Sequence, residues 1–234
     1  MKYLVHCILR NRMEPAQAIS EAGVRLVASE NLAAAVSPCE PKTAAPETSR
    51  LLAYESVISA LHASGSVIPL RYGCLVENEC DIERLLDERR AGYEALLERL
   101  EGRVEMGLRV LWEQEESRAT PTPATPGAAY LASIRRRRSN AAELNEAERE
   151  WAGRLCATLA GLYSEKRSEM RPAAPGRVVS LYFLVPRAAV ERFRGRLRRI
   201  VSKEGRRFLV SGPWPPYNFV TPEAQPDSSR SASA

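Results

Sequence analysis

The spacing of apolar residues in the first part of the chain predicts four strands and two helices. An almost unbroken apolar run at Lys2 to Arg10 indicates a strand buried on both faces of a sheet. Two short β-like runs, Val24 to Ser29 and Leu32 to Val36, are separated by Glu30-Asn31 and indicate a hairpin. The other predicted elements are a helix at Glu14 to Glu21, a helix that begins at Thr48 or Ser49 with Leu51, Tyr54, Val57, Ile58 and Leu61 on one face, and a strand at Val67 to Tyr72. This β-α-β-β-α-β order predicts a ferredoxin-like arrangement, with two helices on one face of a four-stranded antiparallel sheet.

The rest of the chain alternates between helical and strand-like periods. A helix capped by Asp81 should end at Gly102, and the alternation of apolar residues from Arg103 to Trp112 predicts a strand with one apolar face. The further predicted elements are a long helix from about Ala129 to Met170, a buried strand at Val178 to Val185, a helix at Pro186 to Ser202 and a last strand at Phe208 to Val210. The predicted fold class is therefore α+β, with a ferredoxin-like domain followed by a second, smaller α+β domain that contains a long helix.

Breaks in these patterns suggest where the domains end. We expect an N-terminal ferredoxin-like domain with an appended helix at 1–102 and a C-terminal α+β domain at 103–219. Acidic residues followed by TPTPATP make 113–126 the best candidate for a linker. Serine and proline dominate 220–234, which predicts a disordered tail.

Charge divides the chain into an acidic and a basic part. Residues 1–125 hold 14 Lys and Arg against 19 Asp and Glu, giving −5, whereas residues 126–219 hold 19 against 8, giving +11. Two explanations remain open: attraction between the domains, and a basic face that binds a partner.

Composition favours a cytoplasmic protein. The longest apolar run, Val178 to Val185, is too short to span a membrane, and the chain begins with a strand-like segment rather than a signal peptide. The five cysteines form an odd set without Cys-x-x-Cys spacing, which favours buried thiols in a reducing compartment. We therefore expect a cytoplasmic protein without membrane contacts.

The sequence contains no pattern typical of an active site. Phosphate loops, nucleophile elbows and metal-binding helices are absent from it, so we predict no catalytic, cofactor-binding or metal-binding residues and no enzyme activity. His6 and His62 lack supporting motifs and are interpreted as packed or capping residues. The carboxylates around Asp81 are explained by the dipole at a helix start. Arg71, within an apolar strand, favours a structural ion pair over a partner contact.

A segment rich in proline and aromatic residues follows the last predicted strand. Three prolines in Gly212 to Phe219 exclude a helix or an interior strand and predict a stiff, extended strap. Because the segment continues directly from a strand, we interpret it as part of the domain rather than as an exported ligand for a polyproline-binding module. We expect it to clamp the second domain by burying Trp214 and at least one of Tyr217 and Phe219.

This segment and two other blocks resemble a known family. GPWPPYNF is similar to the C-terminal signature of the gas vesicle GvpL/GvpF proteins, VIPLRYGCL resembles their "vlPlRFGtv" block, and TPGAAYL resembles the "G-x-x-YL" entry to a long helix. The three blocks occur in the family's order, and the resemblance covers about residues 2 to 219. Small departures, such as Tyr72 in place of Phe and Cys74 in place of Thr, affect fine packing only. The motif residues that could also contact a partner are Pro69, Leu70, Arg71, Tyr72, Gly73, Gly127, Tyr130, Leu131, Gly212, Pro213, Trp214, Pro215, Pro216 and Tyr217.

The resemblance implies a function in gas vesicle assembly. Members of the family are accessory or minor components of gas vesicles and are implicated in contacts with the small hydrophobic shell protein GvpA and with other accessory proteins. The expected location is therefore the cytoplasm, in association with gas vesicles.

Binding of single-stranded RNA is the alternative function. Arg135 to Arg138 form a cationic patch, and a ferredoxin-like sheet is the scaffold of RNA-recognition modules. The strands offer only Tyr3 and Tyr72 as stacking aromatics, in no RNP-like pattern, which disfavours this alternative.

Overall fold

The structure is a computed structural model that describes residues 2–12, 23–39, 47–113, 144–173 and 176–220. Within the described chain, two antiparallel sheets are flanked by five α-helices. The first sheet contains β1 (Lys2–Arg10), β2 (Arg25–Ser29), β3 (Leu32–Cys39), β4 (Val67–Pro69) and β5 (Leu75–Val76). The second sheet contains β6 (Arg103–Glu113), β7 (Glu165–Ala173), β8 (Gly176–Pro186) and β9 (Arg207–Trp214). The predicted α+β class is confirmed.

The first sheet has the strand order β2-β3-β1-β4, and β5 also pairs with β1. This is the order expected for the ferredoxin-like arrangement, and β1 pairs antiparallel with β3, β4 and β5, as β2 does with β3. The prediction of a central, fully buried β1 is confirmed, because Tyr3 through Leu9 are all buried. The predicted β2–β3 hairpin is also confirmed, with Ser29 paired to Leu32 and Glu30 in the left-handed region. The helix predicted at Glu14 to Glu21 lies outside the described residues.

Helix α1 (Thr48–Ser64) supplies the main apolar face against the first sheet. Tyr54, Val57, Ile58 and Leu61 are buried in one cluster with residues of β1 and β3, as predicted. Leu51, assigned to the same face, is instead exposed.

The strand predicted at Val67 to Tyr72 is shorter than expected. β4 ends at Pro69, and Arg71 to Cys74 form a turn closed by a bond from Cys74 N to Arg71 O at 3.3 Å. Gly73 has φ +90°, a backbone conformation that residues with a Cβ rarely adopt. The turn explains why the predicted strand ends at Pro69, and β5, which was not predicted, follows the turn.

The helix predicted from Asp81 to Gly102 is two helices. These are α2 (Glu79–Glu88) and α3 (Arg90–Leu100), which meet at Arg89. Asn78, rather than Asp81, is the N-cap, because its Oδ1 accepts a hydrogen bond from Asp81 N at 3.0 Å.

The prediction of one long helix from Ala129 to Met170 is wrong for the residues after Thr158. Helix α4 covers Glu146–Thr158, Gly161 has φ +79°, and Glu165–Ala173 forms β7, which pairs antiparallel with β8. The lysines, arginines and glutamates of 165–171 have good helix propensity, but pairing with β8 satisfies their backbone groups instead. Residues 129–143 lie outside the described part of the chain.

A buried ion pair fixes the start of α4. Asn145 and Glu148 form a reciprocal capping box, and Glu148 also accepts from Arg177 Nε and Nη2 at 2.6 and 2.7 Å. Helix α5 (Val190–Val201) follows β8 as predicted and buries Val190, Phe193 and Leu197.

The second sheet has the order β7-β8-β6-β9, so β9 is an edge strand. The last strand was predicted at Phe208 to Val210, but it continues to Trp214 and includes the first half of the proline segment. Proline is tolerated there because an edge strand leaves one side of its backbone unpaired.

The chain divides into two compact units, and the division differs from the predicted domains at the C-terminal end. The first unit contains residues up to Glu105 together with those from Trp214 onward, and the second contains Met106–Pro213. The strap beyond Pro213 therefore belongs to the first unit, not to the second as expected. The predicted linker falls on 113–126, of which only Glu113 is described, and the predicted tail beyond Val220 also lies outside the described residues.

Candidate partner-binding surface

The proline segment contains the end of β9 and a short turn that follows it. Gly212 has φ +100° and precedes a cis peptide bond to Pro213, while Pro215 and Pro216 are buried. Tyr217–Phe219 then form a single 3₁₀ turn, in which Phe219 N donates to Pro216 O at 3.1 Å. The segment is therefore extended only as far as Trp214, and the prediction of an extended strap is wrong for the turn that follows.

Buried groups of the first unit hold this turn in place. Glu105 accepts hydrogen bonds from Asn218 N at 2.8 Å and from Asn218 Nδ2 at 2.6 Å. Arg99 Nη2 donates to Phe219 O at 2.6 Å, and the Phe219 ring is completely buried. The segment is thus anchored by two hydrogen-bonding side chains and one aromatic ring.

The sequence reasoning missed Glu105. The alternation of apolar and polar residues in β6 assigned Glu105 to the less apolar face of the strand. Val104 through Leu108 are all buried, however, so both faces of this part of the strand are covered. A charged residue between Val104 and Met106 was the only sequence signal, and it does not identify Asn218 as the partner.

The prediction that Trp214 is buried is wrong. Trp214 is 42% exposed and Tyr217 is 36% exposed, so of the three aromatic residues in the segment only Phe219 enters the core. Two α1 leucines of the first unit are exposed as well, Leu51 at 39% and Leu52 at 61%. We call these four residues the aromatic surface.

Electrostatics indicates that Tyr217 lies beside α1. Partial burial raises the pKa of Tyr217, and the nearby Glu55 carboxylate contributes to the shift. Glu55 is one helical turn beyond Leu51, so Tyr217 lies near the helix that carries the two exposed leucines. Exposed apolar residues are typical of a contact surface for another protein when they form a patch.

The second motif, Pro69 to Gly73, serves the interior of the first unit. The Tyr54 hydroxyl lies 3.0–3.1 Å from the carbonyl oxygens of Val5, His6 and Leu70, at the place where the turn interrupts pairing with β1. Tyr72 packs edge-on against Tyr54 at 5.2 Å between ring centroids, and Leu70 is buried. Arg71 is exposed. Apart from Arg71, this motif therefore shapes the core more than the surface.

Other predicted site residues cannot be placed. Gly127, Tyr130 and Leu131 lie outside the described residues, as does the Arg135 to Arg138 patch. Of the aromatics considered for RNA stacking, Tyr3 is buried, with the Arg25 guanidinium 4.7 Å from its ring centroid. RNA binding gains no support from the described strands.

Burial favours the neutral forms of His6, Cys7 and Cys74 in the first unit. Burial lowers the pKa of His6 to about 4, and His6 stacks on Tyr54 while its Nε2 lies 3.0 Å from Ser37 Oγ. Burial raises the pKa of Cys74 to about 12 and raises that of Cys7 further, so both thiols stay protonated at neutral pH. His, Cys, Asp and Glu side chains form no metal-binding group within the described ranges.

The fold and this surface together define the class of protein. Two antiparallel sheets with flanking helices carry an anchored segment that exposes aromatic rings, as in an α+β protein with a surface suited to protein contacts. A profile of the family described as "Gas vesicle synthesis protein GvpL/GvpF" matches residues 2–221. The chain belongs to the GvpL/GvpF family of gas vesicle proteins, which confirms the resemblance seen in its motifs.

Individual relatives agree with this assignment. The chain is 32% identical to gas vesicle protein L of Streptomyces sp. (strain CB03234) over 184 residues, which covers 72% of this chain and 67% of the relative. It is 26% identical to gas vesicle protein F of the same organism over 211 residues, covering 84% and 87% of the two chains. Both relatives carry gas vesicle names, consistent with a gas vesicle-related role.

Solved structures share the fold. The crystal structure of GvpF from Anabaena sp. PCC7120 matches with a TM-score of 0.68 at 19% identity, covering 94% of this chain and 96% of that one. GvpF from Microcystis aeruginosa also gives a TM-score of 0.68, at 16% identity and with 94% and 99% coverage. In the described part of this chain, no helix combines the length and the apolar character needed to cross a membrane.

Proposed function

We propose that this protein binds the hydrophobic gas vesicle shell protein GvpA through the aromatic surface and thereby supports vesicle assembly. The observation that carries the proposal is that Trp214 and Tyr217 are exposed although the segment that bears them is anchored at its end by Glu105, Arg99 and Phe219. Anchoring removes much of the conformational entropy that a mobile loop would lose on binding. Exposed rings on a rigid support are therefore well suited to contact a partner.

The chemistry of the partner fits the surface. A subunit that polymerises into a gas-filled wall must carry apolar groups, and these groups face water until assembly is complete. Trp214, Tyr217, Leu51 and Leu52 would cover part of that area, and each large aromatic ring buries about 150–250 Å². We expect the protein to act stoichiometrically, without a cofactor or nucleotide, in the cytoplasm where vesicles form.

The test compares substitutions in the aromatic surface with one elsewhere. Trp214→Ala and Tyr217→Ala should each weaken binding to purified GvpA by about 2 kcal/mol or more, since exposed aromatic anchors are frequent hot spots. Both variants should keep the melting temperature of the wild type within a few degrees, because neither ring fills the core. Binding can be measured by pull-down and by titration with solubilised GvpA.

Leu209→Ala is the matched control. Leu209 is 57% exposed on β9, in the second unit, so its truncation also removes exposed apolar area. It should leave GvpA binding unchanged. If Trp214→Ala bound GvpA as well as the wild type did, or if Leu209→Ala lost binding equally, the aromatic surface would not be the binding site.

A further inference from the structure

Helix α5 carries a stripe of positive charge on its outer face. Arg192, Arg196, Arg199 and Lys203, the last just beyond the helix end, follow one another at steps of four, three and four residues and are all exposed. Such steps place side chains along one side of a helix, here over roughly 16 Å. Phe193 and Leu197 occupy the opposite side and are buried. We call these four cations the basic stripe.

In the part of the chain that the structure describes, the cations of the basic stripe lack the ion pairs that many cations of the first unit form. In the first unit, carboxylates pair with Lys2, Arg25, Arg50, Arg84 and Arg90. Within the described residues, Arg192, Arg199 and Lys203 form no ion pair, and Arg196 donates to the neutral Thr158 carbonyl oxygen at 3.2 Å. The charge of the stripe is thus left uncompensated in this part of the molecule.

The stability of α5 itself does not explain why four cations lie on one side of it. Cations at steps of three and four residues repel one another and destabilise an isolated helix. The helix dipole favours cations in the last turn, which explains Arg199 and Lys203, but it disfavours Arg192 in the first turn. A negatively charged partner would turn this internal repulsion into attraction.

A groove beside the stripe adds an apolar element. It encloses about 640 Å³ and is lined by Thr158, Arg196, Arg199, Ile200, Lys203 and Glu204. The negative charge of Glu204 is compensated within the protein, because its carboxylate pairs with Arg206 Nη1 at 2.7 Å and accepts a hydrogen bond from Trp151 Nε1 at 3.0 Å. Ile200 is half-buried and provides apolar surface between the cations.

We infer that the basic stripe and this groove bind an acidic amphipathic helix of a partner protein. Carboxylates spaced at helical steps match the cations, and an apolar side chain on the same helix meets Ile200. A single-stranded nucleic acid fits less well, because such sites stack bases on aromatic rings and none of the six groove residues is aromatic. The residues of this site all belong to the second unit, whereas those of the aromatic surface belong to the first.

The probe is a designed helical peptide with Glu at steps of four, three and four residues and Leu beside them. Its binding to the full-length protein is followed by fluorescence anisotropy, with the Glu→Gln version of the peptide and a short oligo-uridine strand measured in parallel. The test variant combines Arg192→Gln, Arg196→Gln, Arg199→Gln and Lys203→Gln. The control variant removes the same number of exposed charges elsewhere in the second unit, by Arg149→Gln, Lys166→Gln, Arg171→Gln and Arg207→Gln.

The acidic peptide should bind the wild type and the control variant with affinities within about twofold, and the test variant about tenfold more weakly. Added salt should weaken binding, and the Gln peptide should bind poorly. Equal affinity of the test variant and the wild type, or tighter binding of oligo-uridine than of the acidic peptide, would overturn the inference. Trp214→Ala should keep peptide binding, so this test and the GvpA test fail independently.

Discussion

At the scale of single residues, Glu105 explains how the aromatic segment is held. Its carboxylate is almost completely buried and accepts one hydrogen bond from the backbone nitrogen of Asn218 and one from Asn218 Nδ2. A buried carboxylate is costly unless it is fully hydrogen-bonded, so the two residues depend on each other. The rigidity of the aromatic segment thus depends on a residue of a distant strand.

Glu105→Ala should lower the free energy of unfolding by about 1–3 kcal/mol, because Asn218 loses its buried acceptor. Urea denaturation measures this loss, and hydrogen exchange at the Asn218 amide should become faster in the variant. Glu101→Ala, an exposed change close by in the chain, should alter neither quantity. An Asn218 amide that stays equally protected in Glu105→Ala would mean that the carboxylate does not anchor the turn.

At the scale of elements, the turn between β4 and β5 shows how a family motif takes part in the packing of the first unit. The turn interrupts pairing with β1, and Tyr54 from α1 fills the gap with its hydroxyl. Helix, strand and turn therefore meet at one point. The block that includes Pro69 to Gly73 supports the frame on which the aromatic surface is carried.

Gly73→Ala should destabilise the protein by about 1–2 kcal/mol, because φ +90° strains any residue that has a Cβ. No heavy atom lies within 4 Å of the added Cβ, so backbone strain is the whole effect. Gly92→Ala, in α3 and equally open, should instead stabilise the protein by about 0.5–1 kcal/mol. Thermal denaturation of both variants gives the comparison, and the same sign for both would contradict this account.

At the scale of the whole molecule, charge and burial are distributed unevenly. The first unit pairs many of its exposed cations and buries His6, Cys7 and Cys74 in neutral form, whereas the second unit presents the basic stripe. The buried groups make stability depend on pH. His6 has the largest effect near neutral pH, because its usual pKa lies closest to it.

Stability should fall as the pH drops from about 6.5 to about 4. Burial lowers the pKa of His6 to about 4, so in this range the unfolded chain binds a proton that the folded chain does not. The contribution of the neutral His6 to the free energy of unfolding is complete above about pH 6.5. About 2 kcal/mol of this free energy should be lost at about pH 5. His6→Gln should remove this part of the pH dependence in urea unfolding. A His6 imidazole that titrates near 6.5 by NMR in the folded protein would contradict the prediction.

The sequence alone determined most of the elements and the family. The apolar run of β1, the β2–β3 hairpin, the buried face of α1 and helix α5 follow from periods of two and 3.6 residues, since periodicity reports which side of an element is buried. The three motif blocks identified the GvpL/GvpF family, because they mark turns and aromatic positions that local chemistry constrains.

Only the tertiary structure decided which groups face the solvent and which distant residues meet. Residues 165–170 have the composition of a helix but form a strand, because β8 offers them backbone partners. Trp214 is large and apolar, as core residues usually are, but its side chain is exposed. Phe219 occupies the core instead, and Glu105 binds Asn218 although 113 residues separate them in the sequence. Local periodicity contains no information on such long-range pairs, so the aromatic surface emerged only from the folded chain, whereas the spacing of the basic stripe is already present in the sequence of α5.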